Sequence, residues 1–139
     1  MTKERALLMI RVFKSEYQDD KFYALMGRHF ASLAIAKELE QQVYNKDNTT
    51  WFLRMNRNEV LGFVSVFDNG KYYFVDNLYV LPEARNRGIA DELIAEIIEL
   101  YTDKPIRCIT YNPYALTIFK RYGFVEVGQN GKYKKLIKH

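Results

Sequence analysis

Apolar and polar positions recur along this chain with two different periods, and the changes of period mark its elements. Ala6 to Phe13 is an apolar run broken by Arg11, which predicts a first strand. From Gln18 to Asn45 apolar residues return at roughly helical spacing: Phe22, Leu25 and Met26, then Leu33, Ile35, Ala36, Leu39 and Val43. Gly27 is expected to divide this stretch into two helices. Three strands then follow as a meander. Thr50 to Met55 turns through Asn56-Arg57-Asn58 into Val60 to Phe67, and Asp68-Asn69-Gly70 leads into Lys71 to Val80.

Pro82 ends that strand, and Glu83 to Ala90 carries no apolar periodicity. Ile89, Leu93, Ile94, Ile97, Ile98 and Tyr101 then trace one face of a helix opposite Glu92, Glu96, Glu99 and Asp103. Ile106 to Thr110 reads as a short strand. Ala115, Ile118, Phe119 and Tyr122 form a short amphipathic helix stopped by Gly123. Phe124 to Val127 and Tyr133 to Ile137 close the chain as two strands around Gln129-Asn130-Gly131. The predicted order is β-α-α-β-β-β-α-β-α-β-β, an α/β chain with helices on the faces of a mixed sheet.

Composition changes this picture little. At 139 residues, 48% hydrophobic and 27% charged, the chain has the size and usage of one globular domain spanning 1–139. No apolar run approaches the roughly 20 residues that a bilayer crossing requires, so no membrane role is expected. Ala6 to Ile10 is too short for a signal peptide. Cys108 is the only cysteine, and with two histidines it offers no metal constellation. These features together fit a reduced, cytoplasmic domain without a metal.

Charge is distributed unevenly. Residues 1 to 103 carry 13 basic and 16 acidic side chains, whereas residues 104 to 139 carry 8 basic ones and the single acid Glu126. This asymmetry points to an anionic partner or to a solvated basic edge. Lys120, Arg121, Lys132, Lys134, Lys135 and Lys138 interleave with Tyr111, Tyr114, Tyr122 and Tyr133, a pattern that nucleic acid would also fit. Such a patch is unspecific, and nucleic acid is the less favoured partner.

The informative stretch is Asn77 to Ala90: a strand, a basic loop containing Gly88, and a helix N-terminus. Unpaired backbone donors of the loop and first helical turn would suit a diphosphate. Gly88 admits close approach, Ala90 keeps the following turn small, and Arg85 and Arg87 add positive charge. This segment resembles the acetyl-coenzyme A signature of the GCN5-related N-acetyltransferases, or GNAT family, whose loop reads Gln or Arg, x, x, Gly, x, Gly or Ala. Here it is Arg85-Asn86-Arg87-Gly88-Ile89-Ala90, preceded by Leu78-Tyr79-Val80-x-Pro82. A second family element, Asn-x-x-Ala followed by Tyr-x-x-x-Gly-Phe, is matched by Asn112, Ala115 and Lys120-Arg121-Tyr122-Gly123-Phe124.

The resemblance implies a GNAT-like fold, a mostly antiparallel sheet of about seven strands splayed between the fourth and fifth and flanked by about four helices. It implies acetyl-CoA as cosubstrate, with Leu78, Tyr79 and Val80 beside the pantetheine arm and Arg85 to Ala90 (Arg85, Asn86, Arg87, Gly88, Ile89, Ala90) at the pyrophosphate. Asn112 would orient the arm or the helix beside it. The implied reaction is acetyl transfer to a primary amine of a small molecule, a protein lysine or an N-terminus, by direct attack in a ternary complex. A monomer or a homodimer would serve.

One departure matters. Phe119 stands where the family often has the tyrosine that protonates the leaving thiolate, and a phenyl ring cannot donate a proton. Tyr122, one turn on, is the first substitute, with Tyr111 and Tyr114 nearby. Phe119 itself is then a cofactor-side packing residue. A general base must deprotonate the amine, and Asp76 is the first candidate, with Glu59 and Asp68 as alternatives. The alternative function is a coenzyme A-binding module of the same fold with weak or no catalysis.

Overall fold

Alternating side chains along three long strands build the middle of a seven-stranded sheet in the computed structural model, which describes residues 9–139. Strand β1 (Ile10–Phe13) pairs antiparallel with β2 (Thr49–Asn56), β2 with β3 (Glu59–Asp68), and β3 with β4 (Tyr73–Val80). The part of the expected first strand before Met9 lies outside the described residues. Strand β5 (Ile106–Thr110) pairs antiparallel with β7 (Tyr133–Lys138), which pairs with β6 (Val125–Asn130) at the far edge. The order is β1-β2-β3-β4-β5-β7-β6, and β4 with β5 is the parallel pair among the described residues.

Helices cover both faces. On one side lie α1 (Asp20–Phe30) and α2 (Leu33–Leu39); on the other, α3 (Ile89–Leu100) and α4 (Pro113–Arg121). The first pair packs Phe22, Met26 and Ile35 against Trp51, Leu53, Phe63 and Tyr79. The second pair packs Leu93, Ile97, Ile118 and Phe119 against Phe52, Val64, Val75, Cys108 and Leu136.

The helical break expected at Gly27 falls elsewhere. Gly27 sits inside α1, and the chain turns at Ala31, where Ser32 caps α2 by accepting the Ile35 N–H at 3.1 Å. A mid-helix glycine costs about 1 kcal/mol, whereas burying one large apolar side chain returns about 1.5–3 kcal/mol. Phe22 and Met26 are both fully buried, so the face they form carries α1 through the glycine. Val43, expected on the same helical stretch, is instead buried from an irregular segment beyond α2.

Candidate active site

The parallel β4–β5 pair is short. Tyr73, Phe74 and Val75 face Ile106, Arg107 and Cys108, and beyond Val75 the two strands share no ladder. From there β4 stays with β3 while β5 stays with β7. A parallel pair forced apart leaves a wedge and an unpaired strand edge, here the β5-facing side of Asp76 to Val80.

A bulge in β4 produces the divergence. Phe63 pairs with Tyr79 but Ser65 pairs with Asp76, so Asn77 and Leu78 together oppose Val64. Asn77 takes a left-handed φ of 58°, a conformation asparagine tolerates better than most residues. The extra residue reverses the inside-outside alternation. Tyr73 and Val75 join the α3–α4 core before the bulge, Leu78 and Val80 pack against that core after it, and Tyr79 turns to the α1–α2 side. Asp76 and Leu78, which strict alternation would place on one face, therefore point to opposite faces.

The wedge holds a cavity of about 250 Å³ whose walls come from both strands, from the segment ending α2, and from the start of α4. Asp76, Asn77, Leu78, Thr110, Tyr111, Asn112, Phe119 and Tyr133 line it, and Glu38 and Gln41 close one side. Gln41 Nε2 donates to Asp76 Oδ1 at 3.0 Å and to Asn77 Oδ1 at 2.9 Å. Asn77 in turn donates through Nδ2 to Ser65 Oγ at 3.0 Å. Asp76 Oδ1 also accepts the Asn77 N–H at 2.9 Å.

Of the phenols considered as proton donors, Tyr111 is the one in the wedge. Its hydroxyl donates to the Glu38 carbonyl at 2.6 Å, and its ring meets that of Tyr133 edge-on at 5.4 Å. Burial, and then the Glu40 carboxylate, hold its hydroxyl above the usual phenol range, so it keeps its proton at neutral pH. Tyr122 is not a lining residue; it packs against the core with its hydroxyl beside Asp91, and burial and that carboxylate also raise it. Tyr114 is exposed and donates to Asn86 Oδ1 at 3.2 Å. Phe119 is 3% exposed, edge-on to Phe124 at 5.1 Å, and forms an apolar wall of the wedge.

The loop after β4 ends in Gly88, which caps α3 with φ of 76° and no side chain on the first-turn donors. A Cβ built on Gly88 would meet nothing within 4 Å. The helix therefore opens toward free space with its N–H groups and the positive end of its dipole. Ile89 is buried and Ala90 half-buried beneath this turn. Arg87 donates to the Glu83 carbonyl at 3.0 Å. Arg85 turns back: Nε donates to the Val80 carbonyl at 2.9 Å, Nη2 donates to Glu38 at 2.7 Å, and the guanidinium lies over the Tyr79 ring. Asn112 spends its side-chain oxygen capping α4, accepting the Tyr114 N–H at 2.8 Å.

Glu59 and Asp68 lie away from the wedge, and Asp68 is ion-paired with Lys104 at 2.8 Å. Cys108 forms part of the wedge floor at 1% exposure; burial pushes its thiol up to about 12, so it stays protonated. Much of the basic C-terminal charge is paired: Lys120 and Lys134 with Glu126, Arg121 with Asp91, and Lys132 with Glu40. Glu38, Gln41 and Thr110 were not singled out from the sequence, because their approach to Asp76 spans tens of residues and leaves no local pattern; Tyr133 stood out only within the basic, aromatic C-terminal patch. Gly62 carried a signal, a lone glycine inside a strand. A Cβ there would stand 3.0 Å from the Tyr79 carbonyl and 3.1 Å from Ile89 Cγ2, so glycine lets α3 begin against the sheet.

A mixed α/β sheet wedged open beside an uncapped helix start is the arrangement that the resemblance implies. The acetyltransferase (GNAT) domain model matches residues 13–139, and the chain belongs to that family. No curated protein matches it in sequence. Among solved structures, Escherichia coli ElaA superposes with a TM-score of 0.77 at 12% identity, covering 94% of this chain and 99% of that one. An acyl-CoA N-acyltransferase from Pseudomonas aeruginosa gives 0.74 at 16% identity, covering 94% and 98%. A GNAT family acetyltransferase from Elizabethkingia anophelis with acetyl-CoA bound gives 0.62 at 14%, covering 94% and 98%. Likeness at these identities concerns the fold. No helix among the described residues is long and apolar enough to cross a membrane, and no group of three or more metal-ligating side chains is found among them.

Proposed function

We propose that this chain, acting as one domain, is an N-acetyltransferase that moves an acetyl group from acetyl-CoA to a primary amine by direct attack in a ternary complex. The carrying observation is the wedge between β4 and β5 beside the uncapped start of α3. The residues present fit the cosubstrate: the space over Gly88 is open, the first-turn donors lack a side-chain cap, and the β4 edge beyond Val75 has no strand beside it, with Arg85 Nε on the Val80 carbonyl. Arg87, Gly88, Ile89 and Ala90 would hold the diphosphate, with Asn86 and Arg85 at its flank. The β4 edge at Leu78, Tyr79 and Val80 would hold the arm, and Phe119 and Asn112 would flank it. Bound acetyl-CoA supplies an activated acyl carbon and a thiol leaving group.

Asp76 takes the proton from the incoming ammonium, directly or through water. Gln41 and the Asn77 N–H hold Oδ1, which leaves Oδ2 without a partner among the described residues. Tyr111, not Tyr122, is the phenol positioned to return a proton to the departing sulfur. The half-buried Leu78 and the buried Phe119 and Cys108 exclude water from the acyl group. The test is release of free thiol from acetyl-CoA with a panel of amines, for the parent and Asp76→Asn. Loss of about 100-fold or more at neutral pH in Asp76→Asn is expected.

The binding-module reading has Phe119 in its favour. It predicts that acetyl-CoA raises the melting temperature while no amine releases thiol.

A further inference from the structure

Among the described residues no lysine, arginine or histidine lines the wedge, although the chain as a whole is basic. Its acidic side chains are Asp76 and Glu38, set among the phenols Tyr111 and Tyr133. Such a lining repels a carboxylate and attracts a cation. The two carboxylates have different surroundings. Asp76 is held by amides, while Glu38 takes Arg85 from the loop at 2.7 Å and the Tyr79 hydroxyl at 3.0 Å. Glu40 beside it is already occupied by Lys132 at 2.6 Å. Glu38 thus stands between the wedge and an arginine of the loop assigned to the diphosphate.

We propose that Glu38 sets acceptor specificity: it holds the distal ammonium of a carboxylate-free diamine, and it becomes available when the diphosphate of the coenzyme draws Arg85 away. The reacting nitrogen then lies at Asp76 and the second at Glu38. An amino acid carries a carboxylate into the same negative field and is disfavoured. A monoamine leaves Glu38 with the Tyr79 hydroxyl but no cationic partner, and binds more weakly. This inference rests on the acetyltransferase reading, and it adds a coupling between the two ligands. Removing the arginine from Glu38 strengthens diamine binding, and by linkage the diamine strengthens coenzyme binding equally.

The experiment is calorimetric titration with three probes that share a five-carbon chain: 1,5-diaminopentane, pentylamine and lysine. Each is added to the free chain and to the chain saturated with coenzyme A, whose free thiol prevents reaction. The diamine is expected to bind the loaded chain about tenfold tighter than the free chain, and tighter than either other probe. In Glu38→Gln coenzyme A should still bind, while both the preference over pentylamine and the coupling vanish. A purely structural effect would weaken all three amines alike. Arg85→Gln, which uncovers Glu38 permanently, should bring the tighter diamine affinity without coenzyme A. Equal affinities for diamine and pentylamine, lysine equal to the diamine, or an unchanged preference in Glu38→Gln would overturn this inference alone. Failure of coenzyme A to bind the parent would remove the acetyltransferase reading and this inference with it.

Discussion

Replacing Gly62 by alanine tests whether the helix start is seated by the sheet beneath it. Gly62 pairs with Val80 at the end of β4, directly under the first residue of α3. The added methyl would lie 3.0 Å from the Tyr79 carbonyl, 3.1 Å from Ile89 Cγ2 and 3.3 Å from Val80 Cγ2. The carbonyl belongs to a paired strand and cannot retreat, so Ile89 and the turn above it must move. Overpacking of this kind costs about 1–3 kcal/mol. At this chain length each kcal/mol shifts the melting temperature by about 3–5 °C, so a fall of roughly 3–15 °C is expected. Coenzyme A affinity should fall as well, because the displaced residue opens the helix whose donors face the ligand. Gly27→Ala is the control: its methyl meets nothing within 4 Å inside α1, and it should stabilise by about 0.5–1 kcal/mol. The assay is thermal unfolding of both variants with and without coenzyme A. A Gly62→Ala protein that melts within about 1 °C of the parent and binds normally would refute the seating argument.

Three other outcomes follow from the same geometry. Gly88→Val places a β-branched residue at φ of 76° in otherwise open space; the chain should stay folded, while the melting shift given by acetyl-CoA, about 2.7 kcal/mol at a hundredfold excess over Kd, disappears. Tyr111→Phe should slow thiol release about 100-fold or more, whereas Tyr122→Phe leaves it near the parent rate, and the reverse order would return the donor role to Tyr122. His29 is 4% exposed with Nε2 lacking a partner among the described residues, and burial, then Arg28, lowers its pKa below 6.5. The unfolded chain then binds more protons at mildly acidic pH, so stability is complete above about pH 6.5 and falls as pH drops below it. Denaturant midpoints at pH 7 and 5.5 should differ in the parent and converge in His29→Met; equal slopes in both would exclude the histidine.

The sequence by itself determined the order of elements and the position of the loop proposed to hold the cofactor, because both are written in short-range chemistry. Apolar period, turn residues and Pro82 mark element ends within a few positions, and Gly88 with its arginines stands in one continuous strand–loop–helix segment. What only the tertiary structure decided depends on residues distant in the chain meeting. The Asn77 bulge moved Asp76 and Leu78 to opposite faces, which periodicity cannot show because one extra residue reverses the parity of everything after it. Tyr111 entered the wedge and Tyr122 did not, although both stood close to the expected donor position, because α4 aims the latter at Asp91 of α3. Glu38 reached Arg85 across 47 residues and Gln41 reached Asp76 across 35, contacts made by packing α2 over the strand ends. The basic C-terminal excess, conspicuous as a count, was matched only in part by acids of other elements: Asp68 meets Lys104, Asp91 meets Arg121 and Glu40 meets Lys132 once the chain is folded.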